Sequence, residues 1–228
     1  TTYDLEKGVR TTVEANVLEG GSCVINAQKF LQSVKVMSGD EITLSVNDRL
    51  AVSIMSGKSN YRMSALPAAD FPALPALRTE LGFTLPSGVL RKMINKVSYA
   101  MGVNDQRIIL NGTYFKVNDG DLLCVACDSF RLAKSEKKLE FGRINDDRDA
   151  LHFAYVVPAK TINELCRMLP DDDELTVAVY MGRKHMVYVI EGLTFFTRLI
   201  EGEYIDYDRI IIKNHRIIVE CPRDALLM

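Results

Sequence analysis

Pro158-Ala159-Lys160 opens a helical stretch, Pro170-Asp171-Asp172-Asp173-Glu174 turns it, and Leu175-Thr176-Val177-Ala178-Val179 alternates apolar and polar residues as a strand does. The same unit is written once before. Asn26-Ala27-Gln28 leads a helix, Ser38-Gly39-Asp40-Glu41 turns, and Ile42-Thr43-Leu44-Ser45-Val46 alternates. Further along, Gly57, Tyr61, Leu66 and Phe71 match Gly192, Phe196, Ile200 and Tyr204. The offset stays between 132 and 135 residues, a domain-sized period that is too long for a solenoid. A chain of repeated helix-plus-strand units implies the α+β class, with helices on one side of antiparallel sheets.

A second kind of unit lies between the copies, over 83–134. Its helix, expected over 86–101, carries Val89, Leu90, Met93, Ile94, Val97 and Met101 at helical spacing. The outer helices are expected over 26–37, with Phe30, Leu31, Val34 and Met37, and over 158–169, with Ile162, Leu165, Met168 and Leu169. Between them the period becomes two: Ile42, Leu44 and Val46; Leu50, Val52 and Ile54; Leu175, Val177 and Val179; Val187 and Val189. Each set predicts a strand with one buried face. Turns are expected at 39–40, 47–48, 104–105 and 119–120. Linkers are expected at 72–79 and at 135–151, where Glu136-Lys137-Lys138 and Asp146-Asp147-Arg148-Asp149 read as charged loops. Tyr3-Asp4-Leu5 echoes Cys127-Asp128-Ser129, and 219–228 echoes the start of the second unit at 83–92. The 228 residues are therefore expected to be an internal portion of a longer repeated protein.

Composition narrows the function. Hydrophobic residues make up 47% and charged residues 25%, an ordinary globular balance. Lys and Arg number 28 against 30 Asp and Glu, so an overall positive field for gripping DNA is excluded. No apolar run approaches the roughly 18 residues of a membrane span. The five cysteines, Cys23, Cys124, Cys127, Cys166 and Cys221, read as reduced, buried thiols. Cys124-Val125-Ala126-Cys127 has the spacing of half a zinc site, but no second pair exists and its setting is that of a core strand. Ser56-Gly57-Lys58-Ser59 imitates the end of a phosphate-binding loop, yet Val52 stands where that loop needs glycine, so it reads as a hairpin turn. Asp171-Asp172-Asp173 lacks the spaced ligands of a calcium loop and reads as a solvated turn. His152, His185 and His215 stand apart and read as surface residues. No catalytic residue, metal ligand or cofactor site is assigned.

Charge is sorted along the chain. Lys29 and Lys35 lie on the first helix, Arg91, Lys92 and Lys96 on the second, and Lys160 and Arg167 on the third, with only Glu164 intervening. Acidic residues gather in turns. From charge alone each helix reads first as having an ordinary solvated face; the open alternative is a shared positive surface for sequence-independent phosphate contact.

Asn60-Tyr61-Arg62-Met63-Ser64-Ala65-Leu66-Pro67-Ala68-Ala69-Asp70-Phe71-Pro72 resembles the end of the first domain of the bacterial replicative sliding clamp, the beta subunit of DNA polymerase III. Leu110-Asn111-Gly112, Cys127-Asp128-Ser129-Phe130-Arg131-Leu132-Ala133 and Phe196-Thr197-Arg198-Leu199-Ile200-Glu201-Gly202-Glu203-Tyr204 resemble further motifs of that family, in the same order. The resemblance implies a clamp fold of repeated domains: the C-terminal part of the first over 1–79, the second over 80–205, and the beginning of the third over 206–228. It implies a non-enzymatic processivity factor of the bacterial cytoplasm, without cofactors and away from membranes. Such subunits pair head to tail in a homodimeric ring that encircles double-stranded DNA. They bind the polymerase catalytic subunit, the clamp loader and other proteins carrying a short peptide motif. The alternative is a clamp-fold hub that recruits partners without encircling DNA.

By the same resemblance, Lys29, Lys35, Arg91, Lys92, Lys160 and Arg167 face the DNA, with Asn104 and Arg107 on a loop near it. Gln28 replaces an Arg that the family can carry. The partner-peptide cleft corresponds to Leu110, Ser129, Phe130, Arg131, Leu132, Ile205, Arg209 and Ile210. Asp-Gly-His-Arg-Leu of the family reads Asp128-Ser129-Phe130-Arg131-Leu132 here, and Phe-Pro-Asp-Tyr reads Tyr204-Ile205-Asp206-Tyr207. Phe130 is expected to narrow the cleft. Read as residues alone, Leu110 and Leu132 are ordinary core. Tyr61 and Met63 correspond to the edge that meets the neighbouring subunit.

Overall fold

The computed structural model describes residues 1–77, 81–118, 120–144 and 152–227. In chain order its elements are β1 (Thr2–Tyr3), β2 (Lys7–Arg10), β3 (Cys23–Val24), α1 (Ala27–Lys35), β4 (Thr43–Val46), β5 (Ala51–Ser56), β6 (Ser59–Ser64) and β7 (Leu66–Pro67). There follow β8 (Gly82–Pro86), α2 (Ser87–Val97), β9 (Gly112–Asn118), β10 (Asp121–Cys127), β11 (Leu132–Lys138), β12 (Gly142–Ile144), β13 (His152–Pro158) and α3 (Ala159–Met168). The chain closes with β14 (Thr176–Met181), β15 (His185–Ile190), β16 (Leu193–Arg198) and α4 (Tyr207–Ile210). They form two compact units. One comprises Thr1–Gly82 with Val177–Arg198, the other Phe83–Thr176 with Leu199–Met228. No helix among the described residues is long and apolar enough to cross a membrane.

In the first unit β4, β5 and β6 form an antiparallel sheet, and Ser56-Gly57-Lys58-Ser59 is its hairpin turn, with Gly57 at φ +56°. Strands β1, β2, β16, β15 and β14 lie side by side in that order. Gly8 of β2 faces Phe196 of β16, and a Cβ there would run into the ring. Helix α1 starts where Asn26 caps it, the Asn26 Oδ1 accepting the Lys29 N–H at 2.9 Å. Phe30 and Met37 lie against a small cluster of Val52, Ile54 and Ala65. Strand β5 buries alternate residues as its period requires, but β4 does not. Ile42, Leu44 and Val46, expected on a buried face, are 42–50% exposed, and Leu31 of α1 is exposed too. The apolar pattern is present, but the described residues leave it largely uncovered.

The second unit is better filled. Its sheet runs β11, β10, β9, β13, all antiparallel. Helices α2 and α3 pack on each other and on this sheet. Val89, Leu90, Met93, Ile94 and Val97 of α2 are buried, as are Ile162 and Leu165 of α3. The helix expected to run to 101 stops at Val97 and tightens into a 3₁₀ turn, Ser98–Ala100. Pro86 precedes α2 and supplies no side-chain cap. The segment after α3 takes that role, since the Leu175 carbonyl accepts the Ser87 N–H at 2.7 Å and the Asp172 carbonyl accepts the Gly88 N–H at 2.8 Å.

Three expectations change here. Glu136-Lys137-Lys138 is not a loop but the end of β11, paired with Leu123, Leu122 and Asp121. The ladder holds the backbone while the three charged side chains stay exposed. The other part of that linker, Asp146-Asp147-Arg148-Asp149, lies outside the described residues. Of the five thiols only Cys124 and Cys127 are buried; Cys23 and Cys166 are half-buried and Cys221 is exposed. Of the histidines, His152 and His215 are exposed and His185 is half-buried on β15.

Candidate functional site

The turn joining β10 to β11 is organised by Asp128, a residue of the 127–133 motif to which the resemblance gives no role in the cleft. The Asp128 Oδ1 accepts the Phe130 N–H at 3.1 Å and the Arg131 N–H at 2.8 Å. Its Oδ2 accepts from Arg131 Nε at 2.9 Å and Nη2 at 2.6 Å. Arg131 thereby holds the Asp128 carboxyl down at about 2. The closed turn places Ser129 at φ +79°, a conformation that favours glycine. It turns Phe130 outward, 95% exposed.

A loop spanning 102–111 stands beside this turn. The Gly102 N–H donates to the Leu110 carbonyl at 2.9 Å, and Asn111 clamps Asp105 through both its amide groups, each at 2.9 Å. Leu110 is fully buried. Asn104, on the loop, is exposed at φ +54°. Arg107 reaches the Asp105 carboxylate at 3.3 Å through Nε and Nη2, and Nη2 also donates to the Ser129 hydroxyl. The Asp105 carboxyl is lowered by these bonds. Arg107, assigned by resemblance to the DNA side, is therefore tied to the turn that carries Ser129 and Arg131.

The chain returns to this unit after β16. The Ile200 N–H donates to the Val156 carbonyl at 3.0 Å, Tyr204 stacks on Tyr114 with ring centroids 4.8 Å apart, and Lys134 Nζ lies 5.9 Å from the centre of the Tyr207 ring. Tyr114, Val125 and Lys134 face one another across β9, β10 and β11. The returning segment thus crosses one face of the sheet and keeps Val125 dry beneath it. Leu132 shares that face, two residues before Lys134. Burial pushes the Tyr204 hydroxyl well above its ordinary range, and Tyr114 and Tyr207 upward as well. Ile205 is half-buried, Ile210 is exposed, and Arg209 pairs with Asp206 at 2.9 Å. Ser129, Phe130, Arg131, Leu132 and the 205–210 segment accordingly lie on and around one sheet face. Leu110 packs inside. Asp128, Tyr204 and Tyr207 stand in the motifs that carry the resemblance and Asp105 in an expected turn, but the resemblance assigns none of them, nor Tyr114, a place at this surface. The signal available was Asp128 itself, two and three residues ahead of the N–H groups it caps.

The basic helix residues have unequal surroundings. Lys29 and Lys35 on α1 and Lys160 on α3 are exposed, and none is in an ion pair among the described residues. Arg91 donates to the Leu169 carbonyl at 3.1 Å, Arg167 lies 3.6 Å from Glu164, and Lys92 lies 3.6 Å from Asp171 and 3.4 Å from Asp173. The expected solvated turn at 171–173 is thus also the counter-charge of a helix lysine, whose pKa its Asp173 contact raises. Tyr61 is exposed on β6, an edge strand of its sheet, whereas Met63 turns inward onto the Val52 cluster. No group of three or more His, Cys, Asp or Glu able to hold a metal occurs among the described residues.

Comparison with known proteins agrees with this architecture. Residues 84–206 match the family model for the DNA polymerase III beta subunit, central domain, and residues 1–75 match its N-terminal domain. The chain is 35% identical over 201 residues to a beta sliding clamp of Halalkalibacterium halodurans, covering 88% of this chain and 51% of that protein. A crystal structure of the DNA polymerase sliding clamp from Pseudomonas aeruginosa superposes with a TM-score of 0.82 at 30% identity, over 92% of this chain and 56% of that one. The clamp from Bacillus subtilis gives 0.83 at 27% identity, over 92% and 55%. The chain spans about half the length of the relatives it matches.

Proposed function

The chain belongs to the DNA polymerase III beta subunit family, and we propose that it serves as part of a sliding clamp that encircles duplex DNA and tethers the replicative polymerase. In this reading 1–79 is the C-terminal part of the first clamp domain, 80–205 the second domain and 206–228 the start of the third. The protein is a non-catalytic accessory subunit, homodimeric in its ring form. Its partners are duplex DNA, the polymerase, the clamp loader and other bearers of a short peptide motif. It works in the cytoplasm beside the chromosome. The observation that carries the reading is the order of two family domains along one chain whose helices bear the cations while the turns bear the acids.

The physical logic is topological. A ring holds DNA without adhesion, so a net charge of −2 is no obstacle, and a few exposed lysines supply weak, sequence-independent phosphate contact that leaves sliding unhindered. Partner docking needs the opposite, a preformed surface. The Asp128 turn is fixed before a peptide arrives, which lowers the ordering cost of binding. Leu132, Ile205 and Ile210 offer apolar contact for aliphatic or aromatic anchors, and Arg131 keeps donors for a peptide carbonyl.

The test is titration of a labelled peptide with a Gln-x-x-Leu-x-Phe motif into the chain. Saturable binding that disappears in Leu132→Asp is the expected result. A Leu132→Asp chain that is folded and binds equally well removes the cleft from the proposal.

A further inference from the structure

The α2–α3 layer has two chemically different ends. At one, the first turns of α2 meet the segment that follows α3. The Pro170 carbonyl accepts from the Ser87 hydroxyl at 2.8 Å, the Asp172 carbonyl accepts the Gly88 N–H, and a Cβ on Gly88 would collide with the Asp173 carboxylate. This fit seats the Asp171–Glu174 segment over the positive end of the α2 dipole, with Asp171 and Asp173 against Lys92. Arg91 and Arg167, at the same end, are held by the Leu169 carbonyl and by Glu164. Every cation here has a local partner, and the acids outnumber them.

The other end is reached where α2 runs into its 3₁₀ turn and α3 begins, the Ala159 N–H donating to the Asn111 carbonyl at 2.9 Å. Lys96 stands there on α2, four residues beyond Lys92 and on the same outer face. Lys160 stands in the first turn of α3. Both are exposed, and neither is in an ion pair among the described residues.

We infer that Lys96 and Lys160 carry the phosphate contact of this unit, while the Asp171–Asp173 turn masks Lys92 and keeps it from contributing. The inference rests on the DNA-encircling reading and divides its charges into working and silenced ones. Counterion release requires a cation that phosphate can neutralise; one already neutralised by two carboxylates at 3.4–3.6 Å adds little. The mask also explains how basic helices coexist with a weak field: one end of the layer is net acidic.

The experiment is a fluorescence-anisotropy titration of a labelled duplex of about 20 base pairs, at about 20 mM salt so that exposed charges are not screened. The full chain is compared with Lys96→Ala, Lys160→Ala, Lys92→Ala, the pair Asp171→Asn with Asp173→Asn, and that pair combined with Lys92→Ala. Lys96→Ala and Lys160→Ala each weaken binding by about threefold, whereas Lys92→Ala changes little in the natural background and costs about threefold once both aspartates are neutralised, as expected for an exposed pair released from its partner. An equal cost of Lys92→Ala in both backgrounds overturns the mask. Unchanged binding in Lys96→Ala and Lys160→Ala, with a loss in Lys29→Ala, overturns the assignment while sparing the DNA reading. No binding by any variant, the natural chain included, overturns the assignment of phosphate contact; the encircling reading, which is topological, is overturned separately if the ring form is not retained on circular duplex. Circular dichroism of each variant confirms that it is folded.

Discussion

Helices α1 and α2 have similar sequences in outline and different fates. Each has an apolar stripe at helical spacing and basic residues on the opposite side, yet seven residues of α2 are buried and none of α1 is. The difference lies in what each stripe meets. Helix α2 has α3, β10 and β11 to lie against; α1 has a cluster built on Val52, Ile54 and Ala65. Their starts differ in compensation. Asn26 caps α1 with its own side chain, while α2, preceded by Pro86, borrows carbonyls from a segment more than eighty residues away. An amphipathic pattern creates a face to be covered, and the rest of the fold determines how much of it is.

The strongest way to break this contrast is thiol labelling read out by peptide mass. Cys124, fully buried on β10 with its thiol pushed far up by burial, reacts only on global unfolding of its unit. Half-buried Cys23 on β3 reacts through local opening, faster by on the order of a hundredfold or more. Comparable rates would mean that the two units are equally tight. Core truncation follows. Ile94→Ala or Leu165→Ala is expected to lower stability by about 3 kcal/mol in chemical denaturation, and Leu31→Ala by no more than about 0.5 kcal/mol.

Capping gives a smaller effect. Asn26→Ala is expected to cost about 1 kcal/mol, seen as faster amide exchange confined to α1. A loss spread over α2 would show that the effect of the cap is not local. The smallest effect is the pH response of the 128–131 turn. Asp128 titrates near 2 in the folded chain, below the ordinary value of about 4. Its carboxylate therefore supports the turn above about pH 4 and loses that role as the pH falls towards 2. The Arg131 Nε–H resonance should follow this window, and in Asp128→Asn it should be flat.

Much of the fold was legible in one pass along the chain. Repeat, period and turn residues placed α1, α2 and α3 within a few residues of their observed ends, and Gly57 marks its turn by local chemistry. The surface proposed as the cleft was legible in part. Ser129, Phe130, Arg131 and Leu132 are consecutive, so one motif carries them. The tyrosine stack that brings 204–207 onto the same face joins residues ninety apart, and no local pattern announces it. Charge was the least legible. Lys92 and Lys96 look alike on a helix, and Arg107 looks like any loop cation.

By itself the sequence determined periodicity, helix and strand type and the Gly57 hairpin turn, because these depend on neighbours a few residues away along the backbone, and it determined the family, because each of the family's motifs is a contiguous stretch. Tertiary structure decided which apolar faces are covered, that Glu136-Lys137-Lys138 extends a strand, that Arg107 serves the Ser129 turn, and that Lys92 is paired while Lys160 is not. Burial and ion pairing depend on groups brought close from far along the chain. Asp173 lies 81 residues from Lys92, and only folding sets them 3.4 Å apart.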